Sequence, residues 1–140
     1  MAQADLGAVA AIERETLSSW SARSLAEELQ IPRASQCVAE SAENEILGWY
    51  ACREVWPEAE LLKIAVKKVN RERGIGRFLL EHLFLDLQIR KITCLFLEVR
   101  SGNRAALRFY EKNCFLHVGT RPGYYTDPPD SALILKKNVS

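Results

Sequence analysis

The chain has 140 residues, 19 basic and 18 acidic side chains and a formal net charge of +1. That length fits one domain able to bury about two-thirds of its unfolded surface. The near-zero charge excludes a strong electrostatic pull toward nucleic acid or an acidic membrane surface. Cys37, Cys52, Cys94 and Cys114 are scattered with no Cys-x-x-Cys, and only His82 and His117 accompany them. The pattern reads as reduced core thiols of a cytoplasmic protein, and neither a disulfide framework nor a metal centre is expected. Neither a signal peptide nor an apolar run of membrane-spanning length is expected.

In chain order, 5–18 carries Leu6, Val9, Ala10, Ile12 and Leu17 at roughly helical spacing, with Asp5 placed to cap the start. A second short helix opens at Trp20-Ser21, with Ser21 as N-cap, Leu25 and Leu29 on one face and Pro32 beyond its end. Strands are expected over 36–40 and 46–56, separated by the turn-like Ala42-Glu43-Asn44, and over 61–66 after Pro57. These three read as an antiparallel meander. The helix expected over 76–90 is apolar around much of its circumference, so it should lie deep against a sheet. The run 92–99 is apolar on both parities, as a central strand covered on both faces would be. Residues 100–103 form a loop and cap, and 104–112 a helix with Ala106, Leu107 and Tyr110 inward. Two closing strands, 117–125 and 132–136, are joined by the proline-rich 126–130. The order α-α-β-β-β-α-β-α-β-β is a mixed-sheet α/β (α+β) arrangement with one strand–helix–strand unit in its middle.

Arg71-Glu72-Arg73-Gly74-Ile75-Gly76-Arg77 joins the third strand to the long helix. Free backbone N–H groups and the positive end of a helix dipole converge at such a junction, which suits a phosphate or pyrophosphate. Gly74 and Gly76 let the backbone approach the anion without a Cβ, and Arg71, Arg73 and Arg77 add charge. A P-loop would need Gly-Lys-Ser/Thr, and none follows Gly76; a dinucleotide fingerprint would need glycine where Leu79 stands. Taken alone, the stretch is equally a glycine turn before an amphipathic helix.

Glu98 is the one carboxylate in the run Cys94 to Val99. It either reaches water at the strand end or sits in a poorly solvated cleft, where it could serve as a general base. Tyr110 on the inward face of the next helix is either a core tyrosine with a satisfied hydroxyl or a phenol that donates a proton to a leaving thiolate. Asn103 at that helix start is either an N-cap or an amide that hydrogen-bonds a ligand.

Ile64-Ala65-Val66, Arg71-x-x-Gly74-x-Gly76-Arg77, Leu97-Glu98-Val99-Arg100, and Asn103-x-x-Ala106-x-x-x-Tyr110-Glu111 with Phe115 occur in that order. Together with Trp20-Ser21 and the late Tyr124-Tyr125 pair, they resemble the GNAT superfamily of N-acetyltransferases. Within it they are most like the bacterial ribosomal-protein-alanine N-acetyltransferases, which acetylate protein N-termini. The match runs from about Trp20 to the C-terminus.

The resemblance implies a single N-acetyltransferase domain over 1–140 with acetyl-CoA as co-substrate and no metal. It implies a GNAT-like mixed sheet flanked by helices, whose two central strands, ending at Val66 and Val99, splay apart to admit the acetyl-CoA. The pantetheine arm would bond to backbone groups of Ile64, Ala65 and Val66. The pyrophosphate would lie on Glu72, Arg73, Gly74, Ile75, Gly76 and Arg77, with Arg71 nearby. Glu98, directly or through water, would take a proton from the acceptor ammonium, Tyr110 would protonate the departing thiolate, and Asn103 would contact the cofactor. The implied partner is a protein N-terminus, with a ribosomal protein as candidate. An α-amino group, of pKa ~8 against ~10.4 for lysine, needs less help from the base.

Three departures stand out. Only 1–4 precede Asp5, so the family's first strand is expected to be missing, leaving a sheet edge through which a second copy could pair. Cys114 stands where the family has glycine, and is strained if the position keeps a positive φ. Lys67-Lys68 replaces a more acidic, proline-containing turn and reads as surface charge, as does the stripe Arg104, Arg108 and Lys112. Two alternatives remain: the same chemistry on a lysine or small-molecule amine, and a non-catalytic acyl-CoA-binding module. The joint presence of Glu98 and Tyr110 argues against the second. Substrate choice is expected to lie in 20–29 and 121–130.

Overall fold

The computed structural model describes residues 1–16 and 19–140. Helices α1 (Leu6–Glu13) and α2 (Ala22–Glu28) are followed by strands β1 (Ala34–Glu40), β2 (Ile46–Val55) and β3 (Glu58–Val66). Next come α3 (Ile75–Ile89), β4 (Cys94–Arg100), α4 (Arg104–Lys112), β5 (Leu116–Thr126) and β6 (Pro129–Asn138). Short 3-10 turns occupy Gln3–Asp5 and Lys68–Asn70. The element order is the expected one. The strands form one mixed sheet in the order β1-β2-β3-β4-β6-β5, parallel at β3–β4 and antiparallel at β1–β2, β4–β6 and β6–β5. Among the described residues no strand precedes α1, and no helix is long and apolar enough to cross a membrane.

Two sets of segments are each compact: Met1–Glu54 with Leu61–Asp86, and Val55–Glu60 with Leu87–Ser140. In the first set, β2 divides the packing by parity. Trp49 and Ala51 join Val9, Ile12, Leu25 and Ala65 in one buried cluster. Val9 and Ile12 meet there because residues three apart share a helix face. Each large side chain in such a cluster contributes about 2 kcal/mol through burial. On the other face, Gly48 lies against the third strand and α3: a Cβ there would stand 2.9 Å from the Ala65 carbonyl oxygen and 3.1 Å from Leu79 Cδ1. Glu13 is fully buried yet well partnered. It accepts from the Trp20 N–H at 2.9 Å and Trp49 Nε1 at 3.2 Å, and pairs with Lys63 Nζ at 3.5 Å. Breaking such a buried pair costs about 3–5 kcal/mol.

In the second set, β4 runs beside the start of β3 over three residue pairs, Glu58↔Cys94 to Glu60↔Phe96. With β6 it pairs along its whole length, Cys94↔Asn138 to Arg100↔Ala132. Leu95, Leu97 and Val99 are buried, as are Cys94 and Ile92, in keeping with a central strand. Residues 92–93 precede the strand, and Arg100 extends it by one residue.

Several boundaries differ from expectation. The first helix ends at Glu13, and Leu17 and Ser18 lie outside the described residues. Asp5 does not cap α1 with its side chain; its carboxylate accepts instead from the Ala2 N–H at 2.7 Å, closing the preceding turn. Ser21 does cap α2, accepting from the Ser24 N–H at 3.0 Å. The third strand begins at Glu58, because Pro57 stands in the turn itself. The long helix runs Ile75–Ile89, one residue ahead of the expected 76–90 at each end. The closing strands extend to a short turn around Asp127-Pro128. Of the cysteines, only Cys52 and Cys94 are buried; Cys37 is half-buried and Cys114 exposed, so the reading of all four as core thiols is corrected.

Candidate active site

The expected site residues fall into two groups, one in each compact set. In the first, Ile64, Ala65 and Val66 end β3, four to six residues beyond the last β4-paired position, Glu60. The chain is held there by the Lys67 N–H, which donates to the Leu47 carbonyl at 2.7 Å. Arg71 folds back, its Nε donating to the Val66 carbonyl at 3.1 Å. The guanidinium thus braces the loop that follows.

That loop takes left-handed backbone at Glu72 (φ 63°) and Gly74 (φ 82°). At Glu72 this is a strained choice for a residue with a Cβ, whereas at Gly74 it is not. The Gly74 carbonyl accepts the first helical bond, from Phe78 N–H at 2.9 Å, which makes Gly74 the N-cap of α3. The amides of Ile75, Gly76 and Arg77 therefore have no partner within the helix and point along the positive end of its dipole. No atom lies within 4 Å of where a Gly74 Cβ would be, so the position is left open. A recess of about 340 Å³ adjoins, lined by Ala39, Glu40, Leu47, Arg73, Gly74, Ile75 and Phe78. The residues present fit a diphosphate: backbone donors, a helix dipole and the Arg73 charge at one opening. Arg77 pairs with Glu81 at 2.9 Å on the exposed face, so its charge is already shared. Lys67 pairs with Glu45, and the Lys68 N–H donates to Glu15 at 3.0 Å, in line with surface charge.

In the second group, Glu98 sits near the end of β4 on the face shared with Phe96 and Arg100. Its side chain is 19% exposed and pairs with Arg121 of β5 at 3.4 Å. It is thus neither open to water nor sealed. An acceptor ammonium would compete with this guanidinium for the carboxylate. Asn103 caps α4, its Oδ1 accepting from the Ala106 N–H at 3.2 Å. That leaves the amide nitrogen as the group able to donate to a ligand. Tyr110 is buried, with Phe115 edge-on at 5.4 Å and Phe109 at the same distance. Burial pushes its phenol up from the ordinary value, so it keeps its proton across the neutral range. Cys114 does adopt a positive φ, of 67°.

Sequence reasoning missed the residues that frame this second group. Arg100 donates to the carbonyls of Pro128 at 2.8 Å and Asp127 at 3.1 Å, and its guanidinium lies 4.1 Å from the Tyr125 ring centre. The signal available was parity: carried one residue further, the strand puts Arg100 on the face of Glu98. Asp130 accepts from the Ser101 hydroxyl and from the Gly102 N–H at 3.0 Å, tying the hairpin to the loop before α4. The Arg121 pairing had no sequence signal, since register decides it.

Residues 7–114 match the model of the acetyltransferase (GNAT) family, and the chain belongs to that family. Among curated relatives, the [ribosomal protein bS18]-alanine N-acetyltransferase of Escherichia coli strain K12 is 41% identical over 88 residues, which cover 61% of this chain and 60% of that one. The Salmonella typhimurium enzyme of the same name is 39% identical over 85 residues, so the matched part spans 57% of that relative's length. An uncharacterised N-acetyltransferase of Methanocaldococcus jannaschii is 31% identical over 134 residues, 95% of this chain and 86% of that one. The crystal structure of the Escherichia coli ribosomal-protein-S18-alanine N-acetyltransferase superposes with a TM-score of 0.90 at 32% identity, covering 100% of this chain and 91% of that chain.

Proposed function

We propose that the chain is an acetyl-CoA-dependent N-acetyltransferase acting on the α-amino group of a protein N-terminus, of the ribosomal-protein-alanine type. The observation that carries this reading is the open amide cradle at Gly74–Arg77, in a chain of the acetyltransferase family, with a carboxylate and a buried phenol on β4 and α4. A cytoplasmic location and one domain over 1–140 belong to the same reading.

Acetyl-CoA supplies the activated acetyl group. The 72–77 amides and Arg73 would hold its diphosphate, and the backbone of Ile64, Ala65 and Val66 its pantetheine arm. Glu98 would accept a proton from the acceptor ammonium, directly or through water, and so free the amine lone pair. Tyr110, kept protonated by its burial, would return a proton to the sulfur side of the reaction. Asn103 would steady the cofactor through its amide nitrogen.

The test uses purified protein with acetyl-CoA, detecting freed thiol over peptides that differ in their first residue. Release with an alanine-starting peptide supports the reading. Release confined to lysine or small amines would move the acceptor, and tight CoA binding without release under any amine would leave only a binding module. Glu98→Gln is expected to lower turnover by about 10²-fold or more, the scale of general-base catalysis, while CoA affinity measured by calorimetry stays within about twofold. Unchanged turnover would remove Glu98 from the mechanism.

A further inference from the structure

A thiol, a phenol and an imidazole meet at a place that the proposed acetyl transfer does not use. Cys37 of β1 is the ladder partner of Tyr50 of β2. His82 of α3 brings Nδ1 to 3.1 Å from the Tyr50 hydroxyl and 3.9 Å from Cys37 Sγ. Tyr50 is buried, Cys37 half-buried and His82 exposed, so the cluster runs from the interior to solvent. Burial first, and Cys37 second, push the Tyr50 phenol up from its ordinary value. It therefore stays a neutral hydroxyl beside the imidazole. Asp86, four residues beyond His82 on α3, also faces the phenol. Cys52 of β2 completes the titratable surroundings. By contrast, Cys114 is exposed, and among the described residues no hydrogen bond joins it to a histidine.

From this geometry we infer that Cys37 is a modification site, a thiol that exchanges with low-molecular-weight disulfides while His82, in reach of its sulfur, takes its proton. The S–H proton passes to His82 Nδ1, 3.9 Å away. The Cys37 thiolate attacks one sulfur of the disulfide, a new S–S bond forms and the old one breaks. The departing thiolate takes the proton from His82. Cys37 ends as a mixed disulfide, oxidised at the expense of the other half of the reagent, which leaves as a thiol.

The test treats the full native chain with dithiodipyridine, follows the released chromophore and maps the adducts by peptide mass. Cys37 is expected to react ahead of the more exposed Cys114. His82→Gln is expected to slow Cys37 by about tenfold, the scale on which a proton acceptor raises the thiolate fraction, and Tyr50→Phe, which removes only the hydroxyl beside Nδ1, by less. The Cys114 rate should stay unchanged in both, which also shows that the variants remain folded. Reaction at Cys114 first, or an unchanged Cys37 rate in His82→Gln, overturns the inference. A larger loss in Tyr50→Phe than in His82→Gln also overturns it.

Discussion

Cys114 occupies a helix end built for glycine. Phe115 N–H bonds the Tyr110 carbonyl and Cys114 N–H the Glu111 carbonyl, each at 3.0 Å, the paired pattern that closes a helix through one left-handed residue. The hydrophobic contact of that motif is Phe115 on Tyr110, at 5.4 Å between ring centres. The turn that strains Cys114 therefore also packs the candidate proton donor. Cys114→Gly is expected to raise stability by about 1 kcal/mol, read as a higher urea midpoint with an unchanged slope. This was legible in the chain, because a family position that prefers glycine announces its φ. The partner of Glu98 was not legible, because Arg121 reaches it only through the register of β5 on β6. A second single-residue effect concerns Asp130. Hydrogen bonds from the Ser101 hydroxyl, first, and from the Gly102 N–H hold its carboxyl below the ordinary value. A depressed carboxyl stabilises the fold in full above its unfolded pKa of ~3.9. That contribution disappears as pH falls through the lower, folded value. Asp130→Asn should therefore lose less stability than the parent between neutral and acid pH, measured as the drop in melting temperature.

At the level of elements, periodicity carried most of the reading. An apolar run on both parities marked β4 as a central strand, and glycines flagged the start of α3. The boundaries slipped where a local group won over the pattern. Pro57 released three more residues into β3, and the long helix began one residue early, at Ile75, once Gly74 took the cap. What the pattern could not show is how closely two elements approach. Gly48 is the measure of that, with the Ala65 carbonyl 2.9 Å from a would-be Cβ. A backbone oxygen cannot rotate aside as a side chain can. Gly48→Ala is expected to cost about 1–3 kcal/mol by overpacking, read by urea unfolding. Gly119→Ala, whose Cβ would stand 3.4 Å from the tip of Ile134, serves as the milder control. A smaller loss at Gly48 than at Gly119 would contradict the close approach.

Across the whole molecule, the fold class was legible because helix and strand order alone distinguishes this architecture from others. The long-range polar contacts were not. Glu13 and Lys63 pair inside the protein although fifty residues separate them, and nothing in either neighbourhood marks them as partners. Burial lowers the Lys63 ammonium from its usual value while Glu13 opposes that shift, so the pair depends on packing that only the folded chain supplies. The hairpin clasp by Arg100 is of the same kind, a guanidinium seated on two carbonyls and a ring.

All three tryptophans lie before residue 57. Trp49 is wholly enclosed and hydrogen-bonded to Glu13, Trp20 rests edge-on against it at 5.6 Å, and Trp56 is 62% exposed. Indole emission is therefore a lopsided witness. Its shift to longer wavelength on denaturation comes from Trp20 and Trp49, while Trp56 already glows as it would in water. Far-ultraviolet circular dichroism draws on helices and strands from both halves of the chain. If the chain melts as one cooperative body, the two optical midpoints coincide; if its later half loosens first, ellipticity falls while the fluorescence colour holds.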